Sequence, residues 1–237
     1  MSQKQGRASR LRLSLISNFK VKLMKVSARK IFWVITVFLA ILVGMIPLSY
    51  ISPNINEGFL GLKDRALLQT LGWKIGFNAH IISGAIAILL GWTQFGKNQI
   101  TKHLKWHRAI GKVYVVSALI CGLSGVYIGF HANGGPVAAA GFISVGIIYF
   151  YTTLKAYLHI RKKEIEQHKR MMMYSYAACL AAVTLRLYTP FLTYLMGDYL
   201  QAYRIIAWIS WMPNLFVAKI LNDRNAAESL SKNTLAG

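Results

Sequence analysis

"EQHKRMMMYSYAACLAAVTLR", running from Glu166 to Arg186, changes character at Met171. It is polar up to Arg170, then apolar for fifteen residues until Arg186 interrupts it. A bilayer core takes about 20 apolar residues of helix to cross, and the apolar run continues past the arginine to about residue 196. Working outward, five more stretches have this character, giving expected spans at 31–50, 75–96, 109–131, 137–158, 171–196 and 202–221. The 237-residue chain is 55% hydrophobic and only 15% charged, where a soluble domain carries about a quarter charged residues. The expected fold is an all-α, polytopic membrane bundle of six helices. Residues 1–30 form a basic tail or interfacial helix, 31–221 the transmembrane domain and 222–237 a C-terminal tail.

The net charge of +21 would suggest nucleic-acid binding in a soluble protein. Here the placement of the charges decides their meaning. Residues 1–30 hold nine Lys/Arg and no acid, and the basic connections at 97–112 and 155–170 hold five and six. The C-terminal end adds Lys219, Arg224 and Lys232, while the other side has only Lys63, Arg65, Lys74 and Arg204. With six spans, every basic segment falls on one side. The positive-inside rule makes that side the cytoplasm, so both termini are expected there. The expected partners are the bilayer and its anionic inner-leaflet lipid, with no nucleic acid required and no protein partner indicated. Leu15, Phe19, Leu23 and Val26 recur at helical spacing among Lys20, Lys22 and Lys25, which suits either a helix on anionic lipid or a basic tail. No small-x-small site follows the first apolar run, so that run is expected to remain as a span.

Arg186 and His168 are eighteen residues apart, five turns of an ideal helix. Ser175, Cys179 and Ala182 lie between them on one stripe, a small-sided face that normally turns into a bundle. Arg186 lies about 15 Å from the far end of its span, where a lone cation costs several kcal/mol. Pro190 frees the carbonyl of Arg186, and Pro213 frees that of Ile209. Asn214 reaches a similar depth in span six. The expected ligand pocket therefore combines Arg186, Asn214 and loosened backbone, with Tyr114 as a further lining residue. The structural alternative is that Arg186 caps carbonyls or snorkels.

Two histidines occur at each membrane level: His80 and His131 on the far side, His107 and His168 on the basic side. Bis-histidine haem needs imidazoles from two helices at matched depth, so haem b is a possible cofactor with these four as candidate ligands. Arg108, Lys169 and Arg170 follow the inner histidines directly, a pattern that suits lipid-phosphate contact. His80, Ser83, Gly84, Ala87 and Gly91 in span two, and Gly111, Tyr114, Ser117, Cys121, Ser124 and Gly125 in span three, form small-sided stripes for close packing. Cys121 and Cys179 lie inside apolar stretches as packing residues. No phosphate loop, paired carboxylates or His-Glu-x-x-His motif is present. Asp198 is the one acid placed for a hydrolase-type triad.

"HRAIGKVYVV" (107–116), "HKRMMMYSYAACLAAVTLRL" (168–187) and "AYRIIAWISWMPNLF" (202–216) together resemble a family of bacterial membrane proteins, domain of unknown function 2306. The resemblance runs from about Gly72 to Leu221 and implies a multi-pass protein of the bacterial inner membrane. On the family pattern His80, His107, Arg108, Gly111, Tyr114, His168, Arg170, Arg186, Trp211, Pro213 and Asn214 match signature positions. Met171 stands where the family usually has an aromatic residue. The layout is also similar to haem-bearing cytochrome b561-type bundles. Three readings are open: a non-enzymatic protein that packs, assembles or senses lipid; a b-type haem electron carrier; and a small-solute or quinone binder or transporter at Arg186–Asn214.

Overall fold

The computed structural model describes residues 30–31, 33–50, 58–95 and 103–234. The basic tail at 1–29 lies outside them. Six helical segments among the described residues are long and apolar enough to cross a membrane. They are α1 (Trp33–Tyr50), the segments Leu71–Phe95, Leu104–Gly129 and Gly135–Arg161, and two that are each broken, Ile165–Met196 and Tyr199–Glu228. The chain divides into two units, 1–39 and 40–237. The described residues of the first are the helical start of α1. All that follows concerns the second.

In that unit α2 (Leu71–Gly91), α3 (Leu104–Gly129), α4 (Gly135–Arg161) and α5 (Ile165–Cys179) pack as consecutive neighbours, and α5 closes back on α2. Two half-length helices, α6 (Ala181–Met196) and α7 (Tyr199–Ile209), form a hairpin that docks on α4 through α7. The last helix, α8 (Met212–Thr234), packs on α5 and runs beyond Leu221, so residues 222–234 are helical.

The tight connections have local causes. Asp198 accepts from the backbone N–H groups of Leu200 (2.7 Å) and Gln201 (3.2 Å), capping α7. These bonds, that to Gln201 first, hold its carboxyl below the usual range. The acid singled out as a possible triad member is thus a helix cap. Gly197 supplies the left-handed residue that ends α6 (φ 64°), a conformation glycine adopts without a Cβ penalty. Lys163 takes the same conformation after α4 (φ 63°), and Glu164 N–H closes onto the His159 carbonyl at 2.9 Å.

The small-residue stripes act as close-approach surfaces. A Cβ on Gly122 would sit 3.1 Å from the Gly146 carbonyl oxygen, so α3 and α4 cross backbone against backbone. The crossing of α4 with α7 is tighter still: a Cβ on Gly141 would lie 2.6 Å from the Ala207 carbonyl oxygen. On α3, Gly125 leaves room for the His80 ring of α2, whose Cε1 and Nδ1 an added Cβ would meet at 3.2 Å.

The bundle centre holds a buried chain of three hydroxyls. Tyr114, Thr153 and Ser175 are fully buried, on α3, α4 and α5. The Thr153 hydroxyl donates to the Tyr149 carbonyl at 2.7 Å. Since a carbonyl only accepts, that fixes the direction of the whole chain: Ser175 donates to Thr153 (2.7 Å) and Tyr114 donates to Ser175 (2.8 Å). The chain ends on backbone, so it clamps three helices and is not a through-going relay. Ser175→Ala leaves the Tyr114 hydroxyl without its acceptor. We expect a loss of about 0.6–1.7 kcal/mol, the range of interhelical hydrogen bonds in membranes, read as reduced unfolding stability in detergent.

On the side opposite the basic connections, Lys63 is buried, its ammonium 5.3 Å from the centroid of the Trp73 ring and donating to the His131 carbonyl. Burial pushes its pKa down to about 8 from 10.5. Between those values the unfolded chain binds more protons than the folded one, so stability rises with pH across that window. The thermal midpoint of the wild type should therefore climb relative to that of Lys63→Met as pH passes upward through the window.

Candidate functional site

Spans five and six are both broken near mid-membrane. α5 stops at Cys179, and a tight turn at Leu180 (Val183 N–H to Leu180 carbonyl, 2.9 Å) restarts the helix as α6. The five-turn stripe expected from His168 to Arg186 is therefore interrupted. Ser175 and Cys179 stay buried, while Arg186 lies at the protein surface. Span six breaks at Ser210–Trp211, just before Pro213, which has no N–H to donate.

Every carbonyl freed at a break inside hydrocarbon needs a substitute donor. The Trp211 indole N–H takes the Ala207 carbonyl at 2.8 Å. The Ser210 carbonyl accepts from Asn214 Nδ2 (3.1 Å) and from the Thr184 hydroxyl. Asn214 Nδ2 also reaches Thr184 Oγ1 at 3.2 Å. Asn214 is thus committed to the break. It forms no hydrogen bond with Arg186 among the described residues, so the two make separate contacts. Tyr114, expected beside them, is instead held by Ser175 in the buried clamp.

Arg186 bonds backwards along its own helix, Nη1 to the Ala182 carbonyl at 2.9 Å. A helical side chain leans toward the N-terminus, and for α6 that direction runs toward the bilayer centre. Arg186 starts about 15 Å from the end of its span and folds deeper, the reverse of snorkelling. The acids nearest in sequence, Glu166 and Asp198, stand at the two ends of that span. The described ion pairs are His159–Glu164 and Lys169–Glu166, so Arg186 has no carboxylate among the described residues. One guanidinium has five N–H donors, and the bond to Ala182 uses one.

Two groups lie within electrostatic range of Arg186: the imidazole of His80 and the phenol of Tyr50. His80 is half-buried, and its Nδ1 is 3.1 Å from the Cys121 carbonyl. A carbonyl forces Nδ1 to carry the proton, which leaves Nε2 with a bare lone pair. The site thus offers a strong donor, Arg186, and an acceptor, His80. α6 packs mainly on α7, so its Arg186 face opens to the lipid side.

The four histidines are arranged less symmetrically than their spacing suggested. His131 packs edge-on against Trp73 (5.7 Å) and Tyr127 (5.6 Å). Trp73 precedes His80 by seven residues, about 10 Å along α2. Nitrogens sharing one metal stand roughly 4 Å apart, twice a metal–nitrogen bond of ~2 Å. The structure does not bring His80 and His131 to one level. His107 and His168 lie within electrostatic range of each other at the basic end, and His168 Nδ1 is 2.8 Å from the Ala156 carbonyl. Of the basic residues beside them, Lys169 is paired with Glu166 at 2.7 Å, while Arg108 and Arg170 are exposed. Sequence reasoning passed over Gln94, buried at the basic end of α2; a lone glutamine closing an apolar run was the available signal.

A family model described as "Predicted membrane protein (DUF2306)" matches residues 77–222. No curated protein and no solved structure matches the chain.

Proposed function

The chain belongs to the DUF2306 family of predicted membrane proteins, and from that premise we propose that it binds a lipid-soluble, quinone-type molecule beside Arg186 and His80. The observation that carries this reading is the Arg186 guanidinium, folded toward mid-membrane with no carboxylate partner among the described residues. A cation there demands a partner, and a carbonyl or anionic oxygen entering from the lipid supplies one. His80 Nε2 accepts from a hydroxyl of the reduced form, so both ends of a carbonyl–hydroxyl couple find complementary groups. Gly125 sets the His80 ring in place against α3. The basic connections support a bacterial inner-membrane location with their side at the cytoplasm. The test is extraction in mild detergent, quantification of co-purified quinone, and titration with a short-chain quinone read by tryptophan fluorescence. Saturable quenching supports the reading, and a linear response equal to that of an unrelated membrane protein contradicts it.

Haem b is the second reading, favoured by the His107–His168 proximity and by the bare Nε2 of His168. An oxidised and dithionite-reduced visible spectrum decides it. A Soret band lost in His168→Ala assigns haem, and a colourless folded preparation from haem-replete cells removes it.

A further inference from the structure

The basic end of the bundle holds a second polar cluster, remote from Arg186 and independent of the quinone reading. Gln94 sits in the turn Trp92–Phe95 that ends α2 and is 6% exposed. Its orientation follows from its neighbour. The Thr93 hydroxyl spends its one proton on the Leu90 carbonyl at 2.6 Å, so toward Gln94 it can only accept. The Gln94 amide must therefore present Nε2 to Thr93, which it does at 2.9 Å. Gln94 Oε1 is left buried and without a partner among the described residues. It faces α3 at Gly111, where an added Cβ would lie 3.3 Å away.

One turn before Gly111, His107 has its Nδ1 buried and equally unpartnered among the described residues. His168 lies within electrostatic range of His107. Its Nδ1 donates to the Ala156 carbonyl, so Nε2 is an acceptor when the ring is neutral. The interior of the cluster is thus rich in acceptors. Arg108 follows His107 and Arg170 lies two residues past His168, and both are exposed at the basic end.

Acceptors inside and cations outside do not suit a simple ion. A metal cation meets the two arginines, and a bare phosphate brings oxygen against Gln94 Oε1. A group with hydroxyl donors and one phosphate matches both parts. We infer that the junction of α2, α3 and α5 at the basic end binds the phosphorylated polyol headgroup of an anionic lipid, with Gln94 and His168 accepting from its hydroxyls and Arg108 and Arg170 holding its phosphate. A phosphatidylglycerol-type headgroup has this chemistry, and phosphatidic acid has the phosphate without the hydroxyls.

The test uses the full chain, delipidated in mild detergent, with binding of phosphatidylglycerol and phosphatidic acid followed by native mass spectrometry. Wild type should prefer phosphatidylglycerol by about fivefold for each hydroxyl hydrogen bond. Gln94→Met should lower the preference while phosphatidic acid still binds, and the double variant Arg108→Gln, Arg170→Gln should weaken both lipids. If Gln94→Met fails to fold, His168→Leu removes the second acceptor with the same readout. Equal affinity of wild type for the two lipids overturns the proposal and leaves a buried water on Gln94. So does a preference unchanged in the acceptor variant. Full competition by soluble glycerol phosphate assigns the site to a free solute, and a Soret band dependent on His168 assigns it to haem; either result overturns the lipid assignment.

Discussion

Gly141→Val should abolish the docking of the α6–α7 hairpin on α4. The Cβ of any larger residue at 141 would stand 2.6 Å from the Ala207 carbonyl oxygen and 2.9 Å from its carbon. These are backbone atoms, so no side-chain rotation relieves the contact. The two helices must part, and over-packing of this kind costs about 1–3 kcal/mol even where side chains can adjust. Separation also exposes the partners across this interface. Trp208 donates its indole N–H to the Val137 carbonyl at 3.1 Å, and Arg204 Nε donates to the Gly134 carbonyl at 3.0 Å. We expect little folded material from this variant on size-exclusion chromatography. Gly84→Ala is the matched control: its Cβ would meet only the Cys121 sulfur at 3.2 Å, so it should purify like wild type.

Arg186→Met should remove quinone binding while leaving the fold intact. Methionine keeps an unbranched apolar chain of similar reach, and the bond lost inside the protein runs to Ala182 on the same helix. Removing a charge otherwise costly at this depth should hold or raise stability. Binding loses a charge-assisted hydrogen bond worth about 1.5–3 kcal/mol, which weakens the dissociation constant by about 10- to 150-fold. Arg186→Lys should fall between, because an ammonium keeps the charge and lacks the planar fork. A purely structural Arg186 would behave in the opposite way, with the variant destabilised and binding unchanged per folded molecule.

The spans were legible because a bilayer imposes length and polarity on each helix separately. Residues 75–96 and 109–131 read as spans; α2 starts four residues and α3 five residues before those bounds, and they end five and two residues before them. The break at Leu180 was not legible. No proline or glycine marks "CLAAV" at 179–183, where the turn tightens through the Val183-to-Leu180 bond. Before it Ser175 and Cys179 are buried, and beyond it Arg186 is exposed. Pro213 was legible as freeing the Ile209 carbonyl. What was missed is that the helix stops there and that Trp211 and Asn214 bond the nearby carbonyls of Ala207 and Ser210. Histidine spacing along the chain gave neither the level at which one helix meets its neighbour nor the direction of each ring. Trp73 and Tyr127 hold His131 well away from the level of His80 for that reason. The roles of glycines were partly visible: the stripes announced close packing, but only the folded chain shows that Gly125 makes room for the His80 ring.

The most direct test of an intramembrane ligand site is one pair of titrations, short-chain quinone into wild type and into Arg186→Met, each normalised to folded monodisperse protein. Saturable binding to wild type, weakened at least tenfold in the variant with an unchanged elution profile, is the expected result. Equal affinity in the two proteins, or no saturable binding to either, would contradict a ligand-binding role for Arg186.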